Sequence, residues 1–558
     1  MISGRFSSIF IVLMLSALFV SAQNTSGRFC SPLNIPLRLA GNFCEIRDDH
    51  FHSGIDIKTE GKEGLPVFAV DDGYIYRVKV SAVGYGKAIY IMHAGNVLTV
   101  YGHLSGFMSP LADSVVAMQY RNQSFESEFF PDSTFFPVKK GMQIAWSGNS
   151  GGSEAPHLHF EIRDQLTEEP LNPLLYDWHI DDTIPPLIRS ISIYNYGSGM
   201  YSDADYPNLS INNNDTISID YDSVAVAVEC SDFMNDSVQS DLGIYSSLLI
   251  AGNDTVYQYR FNRMNFDQTR FVNAHIDYSK KVADQVIAHR NFSLPGNKCD
   301  IFSKSGTGWI HCKKEEITAV HLIVSDANGN HTTLHFYLKR RENTKQIKQI
   351  TTLSYPNKLI AQKWNDSGVE IKEGSFYETV DYPELSRDKK SGRIAIVKVG
   401  KPGMIFHKPF QVYFNVPVKW KDLSDKINVV ATTPTTKFIS SVGGTLKENK
   451  IIASSRRPGY FTLALDTVSP KIKETTFSID TVSGKLLYII KITDNLSGVK
   501  RYQCKVDEKW FLFEYDTKQS ALLTDAAKLP GSFALDIELE DGNKNVTVKH
   551  LNVVKPLE

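Results

Sequence analysis

Beyond its first two dozen residues this chain has no long apolar run. That excludes a helical membrane protein, because a spanning helix needs about 20 apolar residues. Cysteine is scarce: there are six in 558 residues, none in a Cys-x-x-Cys pair. A thiolate zinc knuckle is therefore excluded, and no disulfide framework is dictated. Positive charge is not in excess either. Lys and Arg number 60 against 62 Asp and Glu, a formal net charge of -2, which argues against a general nucleic-acid binder. Convincing helical periodicity is also rare, which leaves little room for an α or α/β fold.

What is present begins with an export signal. Arg5 supplies a positive n-region, Ile9–Val20 an apolar core, and Val20-Ser21-Ala22 a small-residue cleavage site before Gln23. Residues 1–22 are expected to be a signal peptide. The mature chain is then exported to the periplasm, cell surface or medium of a bacterium, with no transmembrane segment remaining. No Cys follows the cleavage site, so no lipid anchor is expected there. Cys30 with Cys44, and Cys299 with Cys312, are close enough in sequence to bridge, while Cys230 and Cys504 read as buried thiols.

Short alternating runs dominate the rest. Val67–Val70, Ala88–Met92, Asn96–Tyr101, His157–Ile162, Ser223–Val228, Thr318–Val324 and Leu487–Ile492 all read as strands. The expected class is all-β in several domains. Proline and polar joints near Asp181–Pro186, Arg340–Gln349 and Asp466–Pro470 divide the chain. The divisions are 23–183, 187–342, 350–465 and 469–558. The second and last share an outline, with Cys230-Ser-Asp-Phe and Ser325-Asp326-Ala-Asn-Gly-Asn330 in one, and Thr493-Asp494-Asn495 and Glu540-Asp541-Gly542-Asn543 in the other. Strands closed by Asp-Gly/Asn turns at both ends suit β-sandwiches, and the outline resembles accessory Ig-like domains of secreted bacterial proteins. Residues 350–465 are β-rich without a usable motif.

The chemistry gathers in the first division. In His157-Leu-His159-Phe-Glu161-Ile, period two places Leu158, Phe160 and Ile162 on one face and His157, His159 and Glu161 on the other. Upstream, Ile55 and Ile57 alternate with His52, Gly54 and Asp56, so a His and a carboxylate share a face with only Gly54 between them. In Asn96–Leu104 the same reading groups His103 with Val97, Thr99 and Tyr101. Two His and one Asp form a standard set of ligands for a catalytic Zn²⁺ with a fourth position left for water. Further imidazoles can then act on protons or on an oxyanion.

These residues resemble the lysostaphin/LytM-type zinc metallopeptidases, peptidase family M23. The resemblance rests on His52-x-x-x-Asp56, Tyr101-Gly-His103-Leu and His157-Leu-His159-Phe-Glu. It is supported by Gly64-Leu-Pro-Val67-Phe-Ala-Val-Asp-Asp-Gly73, Tyr85-Gly86 with Tyr90–His93, and Val138–Gly151, and covers about residues 40–172. It implies a LytM-like β-sheet peptidase domain with about three β-sandwich/Ig-like domains behind it. It also implies one Zn²⁺ per chain held by His52, Asp56 and His159, and catalytic imidazoles at His103 and His157. The activity implied is hydrolysis of peptide bonds in bacterial peptidoglycan, with a protein activator or wall partner engaged through the β-domains. The rival readings are a non-catalytic LytM-like regulator of a cell-wall amidase and a binding protein that works through its β-domains.

Several neighbours take plainer roles. His50 precedes the motif, His93 is read as structural, Glu161 as bonded to backbone, and Arg47 as orienting the site or pairing with a carboxylate. Two features depart from the family pattern. About thirty extra residues lie between His103 and Val138, with a short helix expected at Leu111–Tyr120 and a run of Phe between Phe125 and Phe136, read as a satellite core rather than a lid. Ala155 stands where the family usually has Gly, which matters only if the backbone there needs positive φ.

Overall fold

The computed structural model describes residues 28–178, 180–195, 204–235, 240–300, 306–341, 353–354, 358–381, 384–388, 394–435 and 437–556. The expected signal peptide at 1–22 and most of the expected joint at Arg340–Gln349 lie outside these residues. The class is all-β: six of the seven runs read as strands are strands or lie largely within one, and half of Val67–Val70 does. Among the described residues no helix is long and apolar enough to cross a membrane.

The first twelve strands are β1 (Leu39–Gly41), β2 (Ile55–Lys58), β3 (Pro66–Phe68), β4 (Gly73–Val80), β5 (Lys87–His93), β6 (Val97–Leu104), β7 (Gly106–Phe107), β8 (Ser127–Phe129), β9 (Pro137–Val138), β10 (Gln143–Trp146), β11 (His157–Asp164) and β12 (Pro170–Leu171). Helix α1 (Leu111–Asn122) joins β7 to β8. The main sheet runs β1-β2-β11-β6-β5-β4-β8, with β12 beside β11 and β9 beside β4. Strands β3, β10 and β7 form a second, small sheet. Ile55 and Ile57 of β2 and Leu158, Phe160 and Ile162 of β11 enter one core with Val67, Ile89 and Tyr101. Burial of each such side chain contributes about 1.5–3 kcal/mol, so the alternation of β11 is fixed by its apolar face.

The extra segment before Val138 packs, but against the main core and not as a satellite of its own. Leu111, Val115 and Phe125 join the core, β8 extends the sheet at the edge away from β2 and β11, and Phe130 and Phe135 stay exposed.

Behind this, among the described residues, three pairs of larger sheets follow. Two five-stranded sheets between residues 187 and 340 close on one core, two more between 360 and 465 on a second, and two four-stranded sheets between 471 and 554 on a third. The first of these cores also takes in Phe43, Cys44, Ile46 and Phe51 from the segment just ahead of His52. The last pair returns to the first sheet, where Lys87 Nζ meets Glu514 at 2.8 Å and Lys518 Nζ donates to the carbonyls of Asn149 and Ser153.

One expectation fails. No disulfide joins Cys30 to Cys44 or Cys299 to Cys312. Nearness in sequence does not bring thiols into bridging geometry. Cys30 Sγ lies on the Ala69 carbonyl, while Cys44 sits in the neighbouring core with Cys299, where burial holds its thiol well above the usual range.

Candidate metal centre

Strand pairing assembles the centre. Antiparallel register sets His159 opposite Asp56 on one side and opposite Gly102 on the other, so β2, β11 and β6 bring their polar faces together. His52 arrives from the loop before β2. Gly54 does not leave an approach path for a ligand; β11 itself fills that space. A Cβ there would sit 2.4 Å from the Phe160 carbonyl oxygen and 2.8 Å from Glu161 Cγ, so glycine is required by the neighbouring strand.

His103 reaches the centre by a different route from the one alternation suggests. Tyr101 and Leu104 both point into the main core, whereas Leu98 and Val100 face the opposite side with Tyr90 and Met92. The alternation breaks at His103, whose φ of 58° is left-handed. That turn moves His103 from Tyr101's face to the polar face, at a backbone cost of about 1–3 kcal/mol.

Three donor groups meet. His52 Nε2 lies 3.1 Å from His159 Nδ1, His52 Nε2 is 3.1 Å from Asp56 Oδ1, and His159 Nδ1 is 2.9 Å from the same oxygen. All three residues are buried. The other ring nitrogen of each His is committed elsewhere. His52 Nδ1 donates to the Asn42 carbonyl at 2.8 Å, and His159 Nε2 donates to Glu161 Oε1 at 2.8 Å. These acceptors hold one proton on His52 Nδ1 and one on His159 Nε2, so a cation taking the place of the proton shared with Asp56 would meet the lone pairs of His52 Nε2 and His159 Nδ1.

His103 and His157 follow the same rule at the rim. His103 Nδ1 donates to the Ser150 carbonyl and His157 Nδ1 to that of Ala155, both at 2.8 Å. His157 Nε2 then lies 3.3 Å from Asp56 Oδ1, and the two rim imidazoles stand 4.7 Å apart between centroids. Ala155 is not in the left-handed region, so its departure from glycine costs nothing.

Charge is arranged to match. Burial works to raise the Asp56 carboxyl, but His52 and the hydrogen bonds from His157, His159 and His52 hold it well below the usual range. Burial lowers His52. Burial, then the neighbouring His159 and His157, push His103 down to about 3. Burial also acts to lower His159, yet the bonds to Asp56 and Glu161 carry it up to about 9. The centre thus holds a positive charge in place, as a proton or as a cation.

Glu161 departs from expectation. It bonds side chains rather than backbone: Oε1 accepts from Ser53 Oγ and Tyr85 OH, each at 2.6 Å, as well as from His159, while Oε2 accepts from Arg163 Nε at 2.5 Å. Tyr85 also stacks on His159, with ring centroids 5.0 Å apart. Sequence reasoning missed Ser53, Tyr85 and Arg163 as parts of this support. The available signal was Glu161 itself, one pleat repeat from His159 on the same face. Arg47 pairs with Asp56 Oδ2 at 2.8 Å. His50 stands outside the centre on Asp49, and His93 is held between the Asp72 carbonyl and Thr99 Oγ1.

The sequence profile described as Peptidase family M23 matches residues 50–119. The DD-carboxypeptidase/endopeptidase Mpg of Neisseria meningitidis serogroup B is 33% identical over 123 residues, 22% of this chain and 22% of that protein. Lipoprotein NlpD of Yersinia enterocolitica is 31% identical over 116 residues, 21% of this chain and 93% of that protein. Among solved structures, the catalytic domain of the antimicrobial peptidase lysostaphin from Staphylococcus simulans is 25% identical. That match covers 28% of this chain and 95% of the other, with a TM-score of 0.18. The chain spans about a fifth of the length of the first metalloprotease relatives it matches.

Proposed function

The chain belongs to peptidase family M23, and from that premise we propose that it is an exported zinc metalloendopeptidase that cuts peptide bonds in bacterial peptidoglycan. The observation that carries this is the common orientation of the four imidazoles. Each has one nitrogen held by an acceptor outside the centre, and the carboxylate faces the group. His52, Asp56 and His159 fit a zinc ion by donor type, by mutual distance and by tautomer. Bound there, zinc would supply a Lewis acid and a water made acidic near neutrality.

The remaining work falls to the chain. His103 and His157 border the donor set without belonging to it: His103 leaves its Nε2 uncommitted, while His157 Nε2 lies 3.3 Å from Asp56 Oδ1. His103, with Nδ1 held by the Ser150 carbonyl and Nε2 left uncommitted, is placed to accept a proton from water. His157, nearer Asp56 and more exposed, is suited to hold the developing oxyanion of the scissile carbonyl through a proton on Nε2, which Asp56 supports. Glu161, with Arg163, Ser53 and Tyr85, keeps the His159 ring oriented. The neighbouring sheets serve to position the catalytic unit on the wall or on a partner.

The test is mass spectrometry of products released from defined muropeptides by the zinc-loaded full chain. Metal-dependent cleavage of a peptide bond is expected. Failure on sacculi of several cross-link types, in a sample with stoichiometric zinc, would overturn the enzymatic reading. A sample that binds no zinc would point to the regulator.

A further inference from the structure

Two groups of three aspartates stand away from the histidines, and they are built alike. In one, Asp182 from the segment entering the first sheet pair meets Asp232, just after the strand Ser223–Ser231, and Asp326, just after Ile317–Ser325. In the other, Asp466 meets Asp494, just after Leu486–Thr493, and Asp541, which ends Ser532–Asp541. Within each trio the carboxylate oxygens lie within 4.8 Å of one another.

The surroundings are alike in most of their bonds. Asn330 Nδ2 donates to Asp326 Oδ2 at 2.7 Å and to the Asp182 carbonyl at 3.1 Å. Asn545 Nδ2 donates to Asp541 Oδ2 at 2.7 Å and to the Asp466 carbonyl at 3.0 Å. Backbone amides of Gly329 and Asn330 hold Asp326 Oδ1, and those of Asn543 and Asn545 hold Asp541 Oδ1. Thr332 and Thr547 each tie back a proline carbonyl of the incoming segment, Pro186 and Pro470.

Against this careful satisfaction, oxygens are left over. Asp232 is 3% exposed and Asp466 0% exposed, yet Oδ1 of each has no hydrogen-bond partner, and neither has Oδ1 of Asp494. In Asp466 and Asp494 the other oxygen is already spent on the amides of Ser497, Leu496 and Gly498, so Oδ1 is the one available to a ligand. A buried carboxylate oxygen facing two more carboxylates is strongly unfavourable unless a cation meets it. Burial pushes Asp232 up to about 8, and Asp326 and Asp182 push the same way. Beside the first trio lies a cavity of about 10 Å³, bordered by Asp182, Asp232, Asp326, Asn328 and Asn42. It has room for one small species.

We propose that each trio is a calcium site that fastens the segment entering a sheet pair to the ends of two of its strands. The donors are all hard oxygens with no imidazole or thiolate, which selects against zinc. Three carboxylates from three separate segments suit the larger, geometrically tolerant Ca²⁺ better than Mg²⁺, which demands near-ideal octahedral geometry and keeps its waters.

The test uses the full chain freed of calcium by dialysis against metal-free buffer. Calcium titration by calorimetry and bound metal by mass spectrometry should give two Ca²⁺ per chain. Asp232→Asn and Asp494→Asn should each retain one, and the double variant none. Melting separates binding from misfolding: without calcium the Asn variants should melt no lower than wild type, because Asn keeps one acceptor oxygen and gives up only the unpartnered one. With calcium, wild type should gain several degrees and the double variant nothing. No uptake at millimolar calcium, uptake unchanged in the double variant, or variants that melt lower than wild type even without calcium would overturn the proposal. Equal affinity for Mg²⁺ would overturn the choice of ion.

Discussion

The histidine centre and the aspartate trios are two answers to the problem of gathering charged donors inside a β protein. In the first, the donors sit on or beside neighbouring strands, and each ring is aimed by a second bond to Asn42, Glu161, Ser150 or Ala155. Rigid strands set positions and these outer bonds set directions, leaving borderline nitrogen donors beside one carboxylate. In the second, the donors come from strand ends and an entering segment, and all are carboxylates. The first arrangement suits a small ion that does chemistry, the second a large ion that ties segments together.

The sharpest break in this comparison separates ligands from rim. His159→Ala should lose stoichiometric zinc and reduce cleavage to background, whereas His157→Ala should keep zinc and lose about 10²–10³-fold in kcat. Bound zinc and muropeptide release measured on the same samples decide it. A His157→Ala protein that loses zinc would place His157 among the ligands. Neither change should alter calcium stoichiometry.

The next effect tests whether the histidine centre is self-contained. Phe51 is fully buried in the core of the first sheet pair, its ring 5.5 Å from Phe261, and its amide donates to Thr269 Oγ1. Phe51→Ala should cost about 3–5 kcal/mol of stability and also weaken zinc binding, because His52 is the next residue. Phe336→Ala, in the same core but on the strand His331–Arg340, which pairs with no strand of the first sheet, should cost similar stability and leave zinc affinity unchanged. Denaturant melts and competitive zinc titration distinguish the two. The same packing implies that removing residues 187–558 exposes Phe43, Ile46 and Phe51 and cuts activity.

These contrasts track what was legible beforehand. The His-x-His strand and the His-x-x-x-Asp loop could be read because period two and a short spacing hold locally, and burial of Leu158, Phe160 and Ile162 enforces the face. The face of His103 could not, because one left-handed residue breaks the alternation and nothing in a histidine announces it. Glu161 was visible on the right face, but its partners Ser53 and Tyr85 come from other segments. The aspartate trios were half legible: the turns Asp326–Asn330 and Asp541–Asn545 stand out as repeats, whereas Asp182 and Asp466 acquire meaning only when the fold brings the entering segment to the strand ends. The cysteine pairs show the opposite error, with sequence proximity standing in for geometry.

A smaller effect probes the aiming of one ligand. Glu161→Gln keeps the shape but exchanges a charged acceptor for an amide, so His159 loses the strong pull on its Nε2 proton. Zinc affinity should fall about 10- to 100-fold, with the fold intact by circular dichroism. An unchanged affinity would mean that strand pairing alone orients the ring.

The smallest effect asks whether the two kinds of site communicate. Asn42 is the shared element: its carbonyl holds His52 Nδ1, its side chain exchanges hydrogen bonds with Gly243 at 2.6 and 2.9 Å, and it borders the cavity beside Asp182 and Asp232. Asn42→Ala keeps the carbonyl but removes both side-chain bonds, at a cost of about 1–3 kcal/mol for the groups left unpaired. If the seam between sheets positions His52, zinc affinity should fall a few-fold in this variant. Calcium should then raise zinc affinity by a similar factor in wild type and by less in Asn42→Ala, since coupling between two bound ions is reciprocal. Zinc titrations with and without calcium, on both proteins, read the coupling directly. Equal zinc affinity in all four would leave the histidine centre and the aspartate trios as independent devices that share only a chain.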